Sequence, residues 1–403
     1  MSELRNNLTA VAEFLVVAVC TLAFGATCVG IIGSLLGHNA AGTRDFVEYW
    51  AAGQLIVHHA NPYDSAALLR LERSAGFPSD IPAIIIGNPP SALPLVFPLG
   101  FLSPMAGEFL WLMLLLACLA ASVRMIGVMH GCPKTRLNIL GYTFAPALSC
   151  LLSGQVTIFL LFGLVLFLRL HRSHPVLAGG SLWFCMLKPQ LFLPFGVVLL
   201  VWAIASKSYK VLVGAAAMFG GSIAVALIFD PLIWLQYSQM MRTERLDRLS
   251  IPCFSVLLRI YVSPHTLWLQ GLPAVLGCAW ALAYFRKHRA HWDWLEHGSL
   301  LMLVSVLVAP YTWFMDQVVV IPALLHATYT TRSRVLIALL ALASAVIEIE
   351  LFLGASPLHS VLYFWTAPAW LAYYLVATRP SPAMNDYNSP SLENGALLTA
   401  AKD

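Results

Sequence analysis

Apolar runs of about 15–25 residues succeed one another along nearly the whole chain, and nothing else in it constrains the fold as strongly. Each run is near the length a helix needs to cross a hydrocarbon core of about 30 Å. Hydrophobic residues make up 59% and charged residues 10% of the chain, with mean hydropathy +0.78. A soluble domain carries about 25% charged residues, so the expectation is an all-α polytopic membrane protein. The net charge of +4 is small and follows from loop topology, so nucleic acid is not an expected partner.

Runs at 11–36, 105–126, 138–153, 155–169, 176–187, 190–205, 209–229, 267–285, 298–312, 316–330, 334–354 and 359–377 predict about 12 transmembrane helices, within a range of 10–13. With the N-terminus inside, 15 of the 23 basic residues fall on the inner side, among them Lys134, Arg136, Arg169, Arg172, Lys207, Lys210, Arg286, Lys287, Arg332 and Arg334. The inner loops are then short and basic, as the positive-inside rule requires. Both termini are therefore expected on the cytoplasmic side.

The expected organisation is one membrane domain over residues 1–378 and a polar, disordered cytoplasmic tail at 379–403. A cleaved signal peptide is not expected, because the first apolar run is long and lacks a small-residue cleavage pattern. Two outer segments are too long for turns. The first, 38–104, carries Phe46, Trp50, Gly53 and Val57 at helical spacing, which predicts an amphipathic helix on the bilayer surface. Its end, Ser91–Leu102, is too short to cross and is read as interfacial or re-entrant. The second, 230–266, holds Arg242, Arg245 and Arg248, spaced to form one cationic helix face suited to anionic headgroups or an anionic acceptor.

Of the eight cysteines only Cys253 faces the oxidising side, so no disulfide framework is expected. No Gly-rich phosphate loop is present, which argues against a cytosolic nucleotide-sugar donor. Gly154-Gln155, Pro189-Gln190 and Asp316-Gln317 each open an apolar hairpin with a basic inner turn. Either these are three polar pivots lining a cavity below the outer interface, or they are ordinary hairpins with polar turns.

The string Asp45-Phe46-Val47-Glu48-Tyr49-Trp50 follows the first span, with Asn61-Pro62-Tyr63-Asp64 and Asn88-Pro89-Pro90 after it. Together with Gly154-Gln155, Lys188-Pro189-Gln190 and Ala309-Pro310-Tyr311-Thr312-Trp313, this order of motifs resembles glycosyltransferase family 87 over roughly residues 40 to 325. The resemblance implies a C-type glycosyltransferase fold in a bacterial plasma (inner) membrane, with the active site on the periplasmic or extracellular side. It also implies a polyprenyl-phosphate sugar donor, a lipid or glycan acceptor, direct displacement with inversion, and Asp45 as catalytic base. Mannosyltransferase members often carry a His shortly after the late Pro-x-x-Trp; here the chain reads Trp313-Phe314-Met315-Asp316. No soluble cofactor is expected and no divalent metal is indicated.

A carboxylate at the mouth of a membrane bundle is costly to keep and marks a functional site. Asp45 is the expected base, or more plainly an N-cap for a helix starting at Phe46. Lys188, Gln190, Gln155, His58 and Arg44 are candidates for the donor phosphate. Asp316, Tyr311, Trp313, Glu48, Tyr49, Asn61 and Asn88 are candidates for the sugar or acceptor. The plainer alternatives are a snorkelling Lys188, a Lys188–Asp316 pair, a Glu48–Arg44 pair and a turn at 61–64. Two other function classes stay open. One is an O-antigen-ligase-like or polymerase-like transferase using a polyprenyl diphosphate glycan; the other is a non-enzymatic lipid or solute transporter.

Overall fold

The computed structural model describes residues 2–36, 44–78, 80, 82–132, 136–243, 251, 253–353 and 363–379, and side chains at the N-terminus only from Phe14 onward, except Leu15. Helices are the regular structure throughout these residues, with no strand among them. In chain order they are α1 (Ser2–Leu36), α2 (Arg44–Val57), α3 (Ser65–Ser74), α4 (Leu93–Val96), α5 (Pro104–Met129), α6 (Ile139–Tyr142), α7 (Ala145–Ser153), α8 (Thr157–Leu170) and α9 (Pro175–Ser181). The second half continues with α10 (Leu193–Ala205), α11 (Tyr209–Phe229), α12 (Ile233–Thr243), α13 (Phe254–Val262), α14 (Trp268–His288), α15 (Trp294–Val308), α16 (Ile321–Thr330), α17 (Arg334–Phe352) and α18 (Thr366–Ala377).

Each apolar run contains helix among the described residues, but membrane-crossing length does not follow everywhere. Four stretches among the described residues are long and apolar enough to cross: Val16–Gly33, Pro104–Met129, Tyr209–Phe229 and Trp268–His291. Others are shorter, such as Thr157–Leu170 and Trp294–Val308, or broken. The run at 176–187 splits into α9 and a 3-10 turn at Phe184–Leu187, and the next begins with a 3-10 turn at Pro189–Phe192 before α10. Pro189, with Lys188 before it held outside the helical region, stops the i→i−4 ladder there. Crossing-length helices lie at the periphery with apolar side chains outward, as at Leu22, Ile228 and Val275. Broken ones are packed inside. Between α1 and α17, Thr27 Oγ1 donates to the buried Glu348 Oε1 at 2.6 Å, an acid paired within the bundle as lipid surroundings demand.

The first outer segment departs from the surface-helix expectation. Helix α2 forms as the spacing predicts, but residues Phe46 through Gly53 are buried on every side. The segment at 90–101, itself a series of single helical turns, lies against the Gly53 and Val57 side of α2, part of the face expected to meet the bilayer. Small residues make that possible: a Cβ on Gly53 would sit 2.5 Å from the Val96 carbonyl oxygen and 2.9 Å from the Gly100 nitrogen. Trp50 Nε1 and Gln54 Nε2 both donate to the Leu102 carbonyl, at 3.0 and 3.3 Å, fixing the crossing.

Helices α3 and α13 were not anticipated, and α12 runs from Ile233 to Thr243, ahead of most of the cationic run. The Asn61–Asp64 motif folds as a turn and a cap. Asn61 Oδ1 accepts from the Tyr63 nitrogen at 2.9 Å, and Asp64 Oδ1 from the nitrogens of Ala66 and Ala67 at 2.9 and 3.1 Å, opening α3. The second long segment contains α12 and α13. Arg242 is exposed in the last turn of α12, whereas Arg245 and Arg248 lie outside the described residues, as do Lys134 and the expected tail from 380.

Candidate functional site

Three chain breaks meet at one end of the bundle: the turn between α7 and α8, the break before α10, and the turn after α15. Helix α7 ends on Gly154 with φ +70, the left-handed conformation that suits glycine at a helix end. A Cβ there would also lie 2.8 Å from Phe46 Cβ, so Gly154 lets α2 press directly on the turn. Trp111 Nε1 on α5 donates to the Gly154 carbonyl at 2.7 Å and locks it in place.

From this turn Gln155 faces α2. Its Nε2 donates to Asp45 Oδ2 at 2.8 Å, while its Oε1 accepts from Tyr49 OH at 2.7 Å and from the Val156 nitrogen at 2.9 Å. Gln155 is buried and held from two directions, so its amide presents Asp45 in a fixed place. Asp45 itself is half-buried, unlike Phe46 to Trp50 which follow it. Helix α2 starts at Arg44, so Asp45 is inside the first turn and not its N-cap, where its charge also favours the positive end of the helix.

Two residues along, Thr157 faces the other way. Its Oγ1 donates to Asp316 Oδ1 at 2.8 Å, and Lys188 Nζ reaches the same oxygen at 2.6 Å and Thr157 Oγ1 at 3.4 Å. Asp316 Oδ2 accepts from the Trp313 nitrogen at 2.9 Å, reaching back to the residue before the 3-10 turn Phe314–Val320. Asp316 has no exposed surface and Lys188 is 8% exposed, so this pair is sealed. The three polar pivots expected from the internal echo therefore converge, through Thr157, Lys188 and Asp316. Gln317 turns away, donating to Thr366 Oγ1 and accepting from Trp370 Nε1 at 2.8 Å each.

Asn88 joins the two outer motifs to the Lys188 break. Its Nδ2 donates to the Leu187 carbonyl at 2.8 Å, and its own carbonyl accepts from Tyr63 OH at 3.1 Å. A narrow apolar crevice lined by Tyr49, Ile86, Asn88, Leu95, Val156 and Leu187 adjoins this strap. Glu48, one turn beyond Asp45, is buried. Burial first, and the Asp45 carboxylate second, hold its carboxyl well above the usual range, which favours the neutral form.

Chain breaks bring Asp45, Tyr49, Glu48, Gln155, Lys188, Asp316 and Asn88 into one region. Tyr311 and Trp313 adjoin it, half-buried against Ile251, Cys253 and Val256 of the second outer segment. Gln190 lies half-buried in the turn after Lys188. Asn61 stays a turn residue. His58 is exposed just beyond the C-terminal end of α2, thirteen residues from Asp45 and so about 20 Å along the helix. Arg44 opens α2, but its side chain lies outside the described residues. Thr157 went unnoticed in the sequence, although its place two residues after Gln155 was the available signal. No group of three or more His, Cys, Asp and Glu among the described residues converges to hold a metal ion.

A family model described as glycosyltransferase family 87 matches residues 87–310, more than half of the chain. The chain belongs to glycosyltransferase family 87. The matched stretch carries Asn88, Gln155, Lys188 and Gln190, while Asp45 and Asp316 flank it on either side. This family 87 member is thus a membrane glycosyltransferase by family and by its apolar helices. A search of curated proteins and one of solved structures found no match.

Proposed function

We propose that the protein transfers a sugar from a polyprenyl-phosphate donor to a hydroxyl of a lipid-linked or glycan acceptor, with Asp45 as the general base. The observation that carries this reading is the Asp45 carboxylate, half-buried at the bundle's end and held at 2.8 Å by a buried Gln155 that is itself held by Tyr49. A base fixed at one oxygen is placed to receive a proton without reorganising.

In this reading the bundle has the C-type architecture with about twelve crossings, its shorter helices completing the set within a locally thin or protein-lined region. Both termini are cytoplasmic and the Asp45 end faces the periplasmic or extracellular side of a bacterial plasma membrane, where the lipid-borne sugar is presented. The acceptor oxygen attacks the anomeric carbon as its proton passes to Asp45. The bond from that carbon to the phosphate oxygen breaks on the opposite face, and its electron pair leaves with the lipid phosphate. The sugar's configuration is inverted and no covalent glycosyl-enzyme forms. Lys188, balanced by Asp316, fixes the floor of the site and lends positive potential toward the leaving group; Tyr311, Trp313 and Asn88 shape the sugar pocket.

The test is a donor panel with the purified full chain. A polyprenyl monophosphate sugar should be consumed, with an inverted anomer in the product, while nucleotide sugars give none. Transfer from nucleotide sugars, or a retained anomer, would overturn the reading.

A further inference from the structure

Arg259 is the strongest unassigned group. It lies on α13 at 5% exposure, and its Nε is buried without a hydrogen-bond partner among the described residues. The ion pairs among the described residues are Arg172–Asp293 and Lys188–Asp316, and neither includes it. An arginine cannot shed its proton to escape burial. A guanidinium largely buried and without a counterion among the described residues is therefore costly in the unliganded protein, and it is the kind of group that gains most when an anion arrives.

Its place in the fold says which anion. Ser255, Val256 and Arg259 share one face of α13, at i, i+1 and i+4. On that face Ser255 Oγ donates to the Val308 carbonyl at 3.3 Å, and Val256 packs with Tyr311 and Trp313, whose nitrogen holds Asp316. Arg259 is thus one turn along the face seated on the loop that ends at the site. The opposite face exposes Phe254 and Tyr261, with Tyr261 82% exposed, so α13 lies with an aromatic side outward, as an interfacial helix does. That is the depth at which lipid phosphates lie.

Charge at the site points the same way. Lys188 is already paired with Asp316, and Asp45 adds a further carboxylate. A lipid phosphate, which gains one negative charge as its bond to the sugar breaks, needs a cation that is not already paired. We propose that Arg259 binds a lipid phosphoryl group at the edge of this site, and that in the reaction it is the phosphate of the sugar donor. The assignment rests on the reading of a polyprenyl-phosphate donor given above. The guanidinium presents two parallel N–H groups to two phosphate oxygens, a geometry lysine cannot reproduce. The shared chemistry is a lipid phosphate monoanion or dianion, supplied either by the donor or by a bilayer phospholipid headgroup.

Thermal unfolding of the full chain in neutral-lipid nanodiscs, with added polyprenyl monophosphate or with phosphatidylglycerol, separates the possibilities. The wild type should be stabilised by polyprenyl monophosphate. Arg259→Met should fold with an unliganded Tm no lower than wild type, because a buried unpaired charge is gone. Its apparent Kd for polyprenyl monophosphate should rise by about tenfold or more, and Arg259→Lys should keep part of the shift. Loss of a phosphatidylglycerol shift alone, with no response to polyprenyl monophosphate even in the wild type, would keep the phosphoryl site but remove the polyprenyl-phosphate donor. An equal ligand shift in wild type and Arg259→Met overturns the proposal. Should Arg259→Met fail to fold, the same comparison with Arg259→Lys decides, and an undiminished shift there overturns it too.

Discussion

Gln155 and Thr157 stand two residues apart on one turn and hold two carboxylates in opposite ways. On the Gln155 side, Asp45 is half-buried and receives a neutral amide at 2.8 Å. On the Thr157 side, Asp316 is wholly buried, receives a hydroxyl and a backbone nitrogen, and faces an ammonium at 2.6 Å. That carboxylate, saturated by a cation and two further donors and without exposed surface, offers a substrate no route. Asp45 keeps an accessible edge beside the Gln155 amide. The same turn thus separates a sealed acid from a half-buried one, the one proposed as the base.

The contrast can be broken first on the sealed side. Asp316→Asn leaves Lys188 buried beside a neutral amide, and breaking a buried pair in this way typically costs about 3–5 kcal/mol. The variant should unfold well below the wild type in a thermal or denaturant series, and the double change Lys188→Met with Asp316→Asn should recover part of the loss. Wild-type stability in Asp316→Asn alone would mean that the pair does not hold the three breaks together.

A smaller effect concerns Glu72 on α3, which is fully buried with Oε1 unpartnered and Oε2 accepting from the Ile84 nitrogen at 3.3 Å. Burial pushes its carboxyl up from 4.5 to about 7, against the lowering effect of that hydrogen bond. The fold therefore favours the protonated acid. Its contribution is full below pH 4.5 and is lost as pH rises through about 7. Glu72→Gln, neutral at every pH, should flatten the fall in Tm across this window without altering transfer. A wild-type Tm that does not fall across the window, or a Glu72→Gln profile parallel to it, would place the charge elsewhere.

Apolar runs made the helices legible, because a helix in lipid needs little more than length and hydrophobicity. They did not give crossing length: the helix is lost at Phe184–Leu187 just before Pro189, whose ring disfavours a helical Lys188. Period reading placed α2 but not its burial, since Ala51, Ala52 and Gly53 look polar-neutral in a pattern and act as close-approach surface in space. Helix α13 was hidden inside a loop, although Arg259 alone in the run from Val256 to Val262 was a visible anomaly. The motifs carrying Asp45, Gln155, Lys188 and Asp316 were readable one by one. That Gln155 and Thr157 divide the two acids between them depends on which way a turn faces, and a linear string does not carry that.

Asp45→Asn is the most direct measurement of the central claim. The amide preserves size and can keep a hydrogen bond with Gln155, so Tm and donor binding should stay close to wild type. Turnover from the polyprenyl-phosphate sugar should fall by about 10²–10⁴-fold, the contribution of a positioned general base. Near-normal turnover in a folded Asp45→Asn enzyme would contradict the account and take the base away from Asp45.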